Sequence, residues 1–201
     1  MTIIYEKEQL AEVVKAIQQG KVIAFPTDTV YGLGVRYFDE AALEQLKKAK
    51  GRPENKPIPT MVANQEQLEM VAEMTPTIQK IAKAFLPGAL TLVMKKKKEV
   101  PSYVTNGLET IGVRMPDDPF VLKLIEQSGG PMLVTSANLS GEPTGTTFEQ
   151  VMQQLDGRID GIVKGSCGCL SASTIIDVTA DTVKVLREGP ILKEEIEKVI
   201  A

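Results

Sequence analysis

The period of the apolar positions changes repeatedly along this chain. Leu10, Val13, Val14 and Ile17 recur at helical spacing, so residues 7–19 read as an amphipathic helix that Gly20 stops. Val22-Ile23-Ala24-Phe25 is an unbroken apolar run, the pattern of a buried strand, and Pro26 ends it because it has no N–H for a sheet ladder. Asp39 is placed to cap a second helix, which turns Leu43 and Leu46 inward and breaks at Lys50-Gly51-Arg52-Pro53. Residues 58–62 read as a strand. Asn64 with Gln67 forms a capping pair ahead of Leu68 and Val71, and Thr75-Pro76 opens a helix with Ile78, Ile81, Ala82 and Phe85 on one face.

Further strands are predicted at 90–94 and 110–115, the second ended by Pro116. Asp118-Pro119 starts a helix bearing Val121, Leu122 and Ile125, closed by Gly129-Gly130. A strand at 132–135 enters a polar loop over residues 136–144. A short helix near 148–155, strands at 161–164, 173–178 and 183–187, and a helix at 192–200 complete the pattern. Strands and helices alternate without repeat or linker. That predicts an α/β fold in one domain, residues 1–201, with a twisted, mixed sheet flanked by helices.

Composition narrows the chemistry. The 201 residues are 43% hydrophobic, as in ordinary globular proteins, but only 4% aromatic with no Trp, so aliphatic side chains must build the core. No apolar run approaches the roughly 20 residues of a membrane span. The opening MTIIYEKEQL is acidic and periodic, unlike a signal peptide, and a cytoplasmic protein is expected. Cys167 and Cys169 sit one residue apart, a poor spacing for a structural disulfide, so reduced thiols are expected. With no His and no other Cys, neither a catalytic triad nor a thiol or imidazole metal site is available, and no metal ligands are assigned. Lys, Arg, carboxylates, hydroxyls, backbone amides and Mg²⁺ remain. That set suits phosphoryl or nucleotidyl transfer, where positioning and charge neutralisation carry the catalysis.

A net charge of −3 does not make the whole surface a nucleic-acid binder, yet the positive charge is clustered. Lys47, Lys48, Lys50, Arg52 and Lys56 lie together and point to a local anionic ligand. Lys95 to Lys98 read instead as the solvated exit of a strand. After the strand at 22–25 comes Thr27-Asp28-Thr29 and then Gly32 and Gly34, a polar, glycine-punctuated loop. It reads equally as a ligand site or as a turn that satisfies its own backbone. Asp28 is expected to hydrogen-bond within that loop, with Mg²⁺ binding as the lesser alternative.

No P-loop or dinucleotide fingerprint is present. The candidate ligand groups are Thr27–Thr29, Lys50-Gly51-Arg52, Ser136 with Asn138, Ser173-Thr174 and Arg187. Thr110 and Arg114 lie four apart on one strand and share a face. Arg114 there reads as a bidentate carboxylate clamp or as an edge arginine in solvent.

In order, FPTDTVYGLG, KGRP, PGALTLVMK, IGVRMP, TSANLSGEPT, STIIDVT and LREG span about residues 8–190, and this ordered set resembles the YrdC-type family of L-threonylcarbamoyladenylate synthases. The resemblance implies a twisted α/β sheet around a large basic cavity. It also implies condensation of L-threonine, bicarbonate or CO₂, and ATP into threonylcarbamoyl-AMP and pyrophosphate, with Mg²⁺ accompanying ATP. Partner proteins would then modify the adenosine beside the anticodon in tRNAs reading ANN codons. By motif, Lys50 and Arg52 would be catalytic, meeting the phosphates. Thr29, Met61, Arg114, the backbone of Val134 and Ser173 would form the threonine site. Arg52, Lys56, Thr110, Ser136, Asn138, Thr144 and Arg187 would face the nucleotide. Two positions depart from the family pattern: Lys56 stands where many members have Asn, and Met61 where they have His. The chain ends at Ala201 and so resembles the short, single-domain form. Two other readings are an RNA-binding module without catalysis and a YciO-like paralogue with another substrate.

Overall fold

The alternation predicted from the apolar pattern carries through to a computed structural model, which describes residues 1–51, 56–168, 171–180 and 182–200. In chain order the elements are β1 (Ile3–Tyr5), α1 (Leu10–Gln18), β2 (Ile23–Phe25), β3 (Gly32–Arg36), α2 (Glu40–Lys50), β4 (Thr60–Met61), α3 (Gln65–Val71), α4 (Pro76–Phe85) and β5 (Leu90–Lys95). Then follow α5 (Ser102–Thr105), β6 (Thr110–Arg114), α6 (Pro119–Gln127), β7 (Met132–Ser136), α7 (Phe148–Leu155), β8 (Gly161–Val163), β9 (Thr174–Asp177), β10 (Lys184–Arg187) and α8 (Lys193–Ile200). The strands form one mixed sheet in the order β1-β8-β2-β3-β7-β4-β6-β5-β9-β10. β1 and β2 flank β8 in parallel, β4 runs parallel to β6 and β5 to β9, and the other neighbours are antiparallel.

The helix starts behave as their caps dictate. Asp39, Asn64, Thr75, Asp118 and Thr147 each accept a backbone N–H of the first turn. Gly51 closes α2 at φ +59°, the left-handed conformation that glycine adopts without penalty. Two apolar layers sandwich the sheet. Ile23, Phe25 and Met132 pack with α1 and α6 on one face, while Ala24, Leu33, Val35 and Leu133 pack on the other with α2, α3 and α4.

Two strands depart from the sequence reading. The stretch holding Gly32 and Gly34 is not a loop but β3, paired with β2 on one side and β7 on the other. Its glycines make room for Phe25. A Cβ on Gly34 would sit 2.9 Å from the Phe25 ring and 3.0 Å from Met132 Cε, and one on Gly32 would meet Val134 at 2.9 Å. β1 was not expected either; it is a short edge strand with both isoleucines exposed. Lys95 and Lys98 are exposed as predicted, whereas Lys96 is largely covered and lies 3.7 Å from Glu109.

Candidate functional site

The β2–β3 connection is tied by its own hydroxyls. Thr27 Oγ1 donates to the carbonyl of Val30 at 2.8 Å and accepts the Thr29 N–H at 3.1 Å. This holds Thr29, fully buried, with its hydroxyl toward the end of β6. There Arg114 reaches across. Its Nη1 donates to Thr29 Oγ1 at 2.7 Å, its Nη2 to Asp28 Oδ1 at 2.6 Å and its Nε to the carbonyl of Gly88 at 3.3 Å. The Arg114 and Asp28 side chains are only 7% and 13% exposed, so this ion pair is little screened by water. Arg114 is therefore not an edge arginine in solvent. The expectation for Asp28 is likewise corrected: its carboxylate serves the arginine.

Opposite, Arg187 at the end of β10 is oriented by Ser173. Its Nε and Nη2 donate to the Ser173 carbonyl at 3.0 and 2.7 Å, and Nη2 lies 3.2 Å from the Ser173 hydroxyl. That hydroxyl shares a 2.8 Å bond with Thr91 on β5, and both residues are buried. Desolvation, and next the charge of Arg114, pull the Arg187 pKa below its ordinary value. The two guanidiniums thus sense each other across one space, which favours an anion between them.

That space is a hollow of about 290 Å³. Thr29, Met61, Arg114, Val134, Ser136, Thr144, Ser173 and Arg187 all line it, so eight of the expected ligand positions converge from strands and loops far apart in sequence. Other expected residues do not line it. Lys50 is 2% exposed, and its amine bonds the carbonyls of Ser136 and of Asn138, the latter at 2.8 Å. Asn138 turns its amide onto the carbonyls of Leu139 and Glu142, both at 2.8 Å. Both residues brace the 136–144 loop rather than line the hollow. Thr110 sits at the opposite end of β6 from Arg114, paired with Lys95. Lys56 is exposed and outside the lining. Arg52 lies outside the described residues. The described lining therefore carries two cations, one of them offset by Asp28, and the expected large basic cavity is not what it presents.

Several site residues escaped the sequence reading. Thr91 and Tyr31 line the hollow, and Tyr31 also anchors it from behind, its hydroxyl 3.0 and 2.8 Å from the carbonyls of Val163 and Gly165. Gln154 on α7 accepts the Leu139 N–H and donates to the Pro143 carbonyl, at 2.9 and 3.0 Å. Thr91 lay within the PGALTLVMK motif; nothing in the sequence marked Gln154. Among the described residues, no group of three or more Cys, Asp or Glu side chains gathers to hold a metal ion. A larger hollow, about 640 Å³, opens at the far edge of the sheet beside β1 and the end of α2. It holds none of these converging hydroxyl and guanidinium groups, so the smaller one is the candidate site.

The fold is that of an α/β protein whose arginines and hydroxyls converge on one hollow, a lining whose charge suits small anionic ligands. Residues 15–189 match the family model described as Sua5/YciO/YrdC, telomere recombination. The chain is 45% identical over 92% of its length to a threonylcarbamoyl-AMP synthase of Pyrococcus abyssi, and 44% identical over 96% to one of Bacillus subtilis. It spans 55% and 56% of those two proteins. The crystal structure of P. abyssi Sua5 complexed with L-threonine superposes with a TM-score of 0.93 at 41% identity, covering all of this chain and 61% of that one. E. coli YciO superposes at 0.86 and 30% identity, covering 94% and 97%. The chain belongs to the Sua5/YciO/YrdC family.

Proposed function

We propose that this chain is a threonylcarbamoyl-AMP synthase, a nucleotidyltransferase that condenses L-threonine, bicarbonate or CO₂, and ATP. The observation that carries the reading is Arg114, bonded to Thr29 and Asp28 and facing Arg187 across one hollow, in a chain of this family. Arg114 and Thr29 hold the threonine carboxylate end, with Met61, Val134 and Ser173 beside it. Ser136, Thr144 and Arg187 take the nucleotide, and Arg52, Lys56 and Thr110 are further nucleotide contacts on the family pattern.

The chemistry is first a problem of positioning. The threonine amine adds to CO₂ and loses a proton, giving a carbamate. A carbamate oxygen attacks the α-phosphorus of ATP as the bond to pyrophosphate breaks. Guanidiniums neutralise the charge that develops on the α-phosphate and the leaving group. Mg²⁺ enters on the ATP phosphates. Mg²⁺ usually keeps its waters and binds through substrate phosphates, so the ATP itself would carry it. The product goes to partner proteins that modify tRNA, in the cytoplasm. No helix among the described residues is long and apolar enough to cross a membrane.

The test is pyrophosphate release by the purified chain with Mg²⁺. Release is expected only when L-threonine and bicarbonate are both present. Release independent of threonine, or none, overturns the reading. Met61 favours a second one, a YciO-like paralogue, because a thioether lines the hollow where a polar ligand is the family pattern. Calorimetric titration with L-threonine, L-serine and L-valine, with and without ATP, separates the two.

A further inference from the structure

We propose that Asp28 is a positioning residue for substrate capture: its carboxylate locks the Arg114 guanidinium in the plane in which that group receives an amino-acid carboxylate. The proposal rests on the reading of the hollow as an L-threonine site. Asp28 itself does not line that hollow. It acts from behind, through the 2.6 Å bond to Nη2.

Among the described residues the fork is held by Asp28 at Nη2, Thr29 at Nη1 and Gly88 at Nε. Thr29 and Gly88 offer neutral oxygens, so Asp28 supplies the ionic partner among them. An arginine side chain has many rotamers, and it binds a planar carboxylate well only when its fork is already held. The charge of Arg187 opposes that of Arg114 across the hollow. Removing Asp28 deprives Arg114, 6% exposed, of this ionic partner while the charge of Arg187 still faces it. A substrate carboxylate held by Arg114 would feel Asp28 as a like charge; Asp28 pairs directly with the guanidinium and lies outside the lining of the hollow, so the alignment it gives outweighs that repulsion.

The experiment compares the full chain with Asp28→Ala and Asp28→Asn, by calorimetric titration of L-threonine and by pyrophosphate release. Asp28→Ala is expected to raise the Kd and KM for L-threonine about tenfold or more, with kcat and the KM for ATP changed less than about threefold. Asp28→Asn keeps an acceptor without the charge, so its increase is smaller, about threefold or more. It carries the test if the alanine variant does not fold, as a thermal melt will show. A Kd for L-threonine below about twofold of wild type in the folded variants, or tighter than wild type, overturns the proposal. So does a loss confined to kcat. Wild-type protein that binds L-threonine but releases no pyrophosphate overturns the synthase reading alone, since the Kd comparison still stands. Wild-type protein that binds no L-threonine overturns both.

Discussion

The Lys50 amine lies 2.8 Å from the backbone carbonyl of Asn138, across 88 positions of chain, and also bonds the carbonyl of Ser136. A side chain at the end of α2 thus pins the loop that follows β7. The Ser140 N–H returns the bond to the Lys50 carbonyl at 2.9 Å. Lys50→Met keeps most of the volume but strips these carbonyls of their donor. It is expected to lower unfolding stability by about 2–4 kcal/mol in a denaturant titration. A role confined to phosphate contact would instead cut turnover and leave the denaturation midpoint in place.

Gly34 has no room for a side chain. An added methyl would stand 2.9 Å from the Phe25 ring and 3.0 Å from Met132 Cε, both in the packed layer beneath α1 and α6. Gly34→Ala should cost about 1–3 kcal/mol, read as a fall in thermal midpoint. Combining it with Phe25→Leu should return part of the loss, since the leucine vacates the ring's place.

Thr91 and Ser173 share a buried hydroxyl pair at 2.8 Å, and Ser173 in turn orients Arg187. A double-mutant cycle with Thr91→Val and Ser173→Ala should give a coupling energy of about 0.5–1.5 kcal/mol in unfolding experiments. Independent effects that simply add would show that the two hydroxyls do not depend on each other.

Tyr31 and Tyr37 are almost wholly buried, and burial pushes both hydroxyls well above the ordinary tyrosine pKa. Below pH about 10 both folded and unfolded chains keep these protons, so their contribution is constant. Above it the unfolded chain releases them and the folded chain does not, so stability falls as pH rises. Each tyrosine should add a slope of about 1.4 kcal/mol per pH unit in that range, and Tyr31→Phe or Tyr37→Phe should remove one such share. At neutral pH the two variants should differ. Tyr31→Phe leaves the carbonyls of Val163 and Gly165 without its hydroxyl, whereas the Tyr37 hydroxyl has no hydrogen-bond partner among the described residues. Tyr37→Phe is therefore expected to be neutral or stabilising, and urea titrations across pH 7–11 check both statements.

Every helix but the one-turn α5 was legible; for four of them capping and period agree, because Asp39, Asn64, Thr75 and Asp118 announced starts that the structure repeats. β3 was not, because glycines that look like loop punctuation make space for the face of Phe25, a requirement set by tertiary packing. At the site, motif order placed Arg114, Thr29 and Arg187 on one hollow. Lys50 and Asn138 carry the residue types of phosphate contacts, and the structure shows both bonded to backbone carbonyls of the 136–144 loop, a bracing role that motif order does not reveal. Asp28 reads as a turn residue until the chain brings β6 beside it.

The strand order sets a condition on assembly. Thr29 follows β2, the second strand of the chain, but Arg187 sits on β10, an edge strand of the sheet and nearly the last to be synthesised. A nascent chain lacking that final ribbon has Arg114 without the opposing Arg187. The described walls of the hollow are therefore complete only once the last strand is in place.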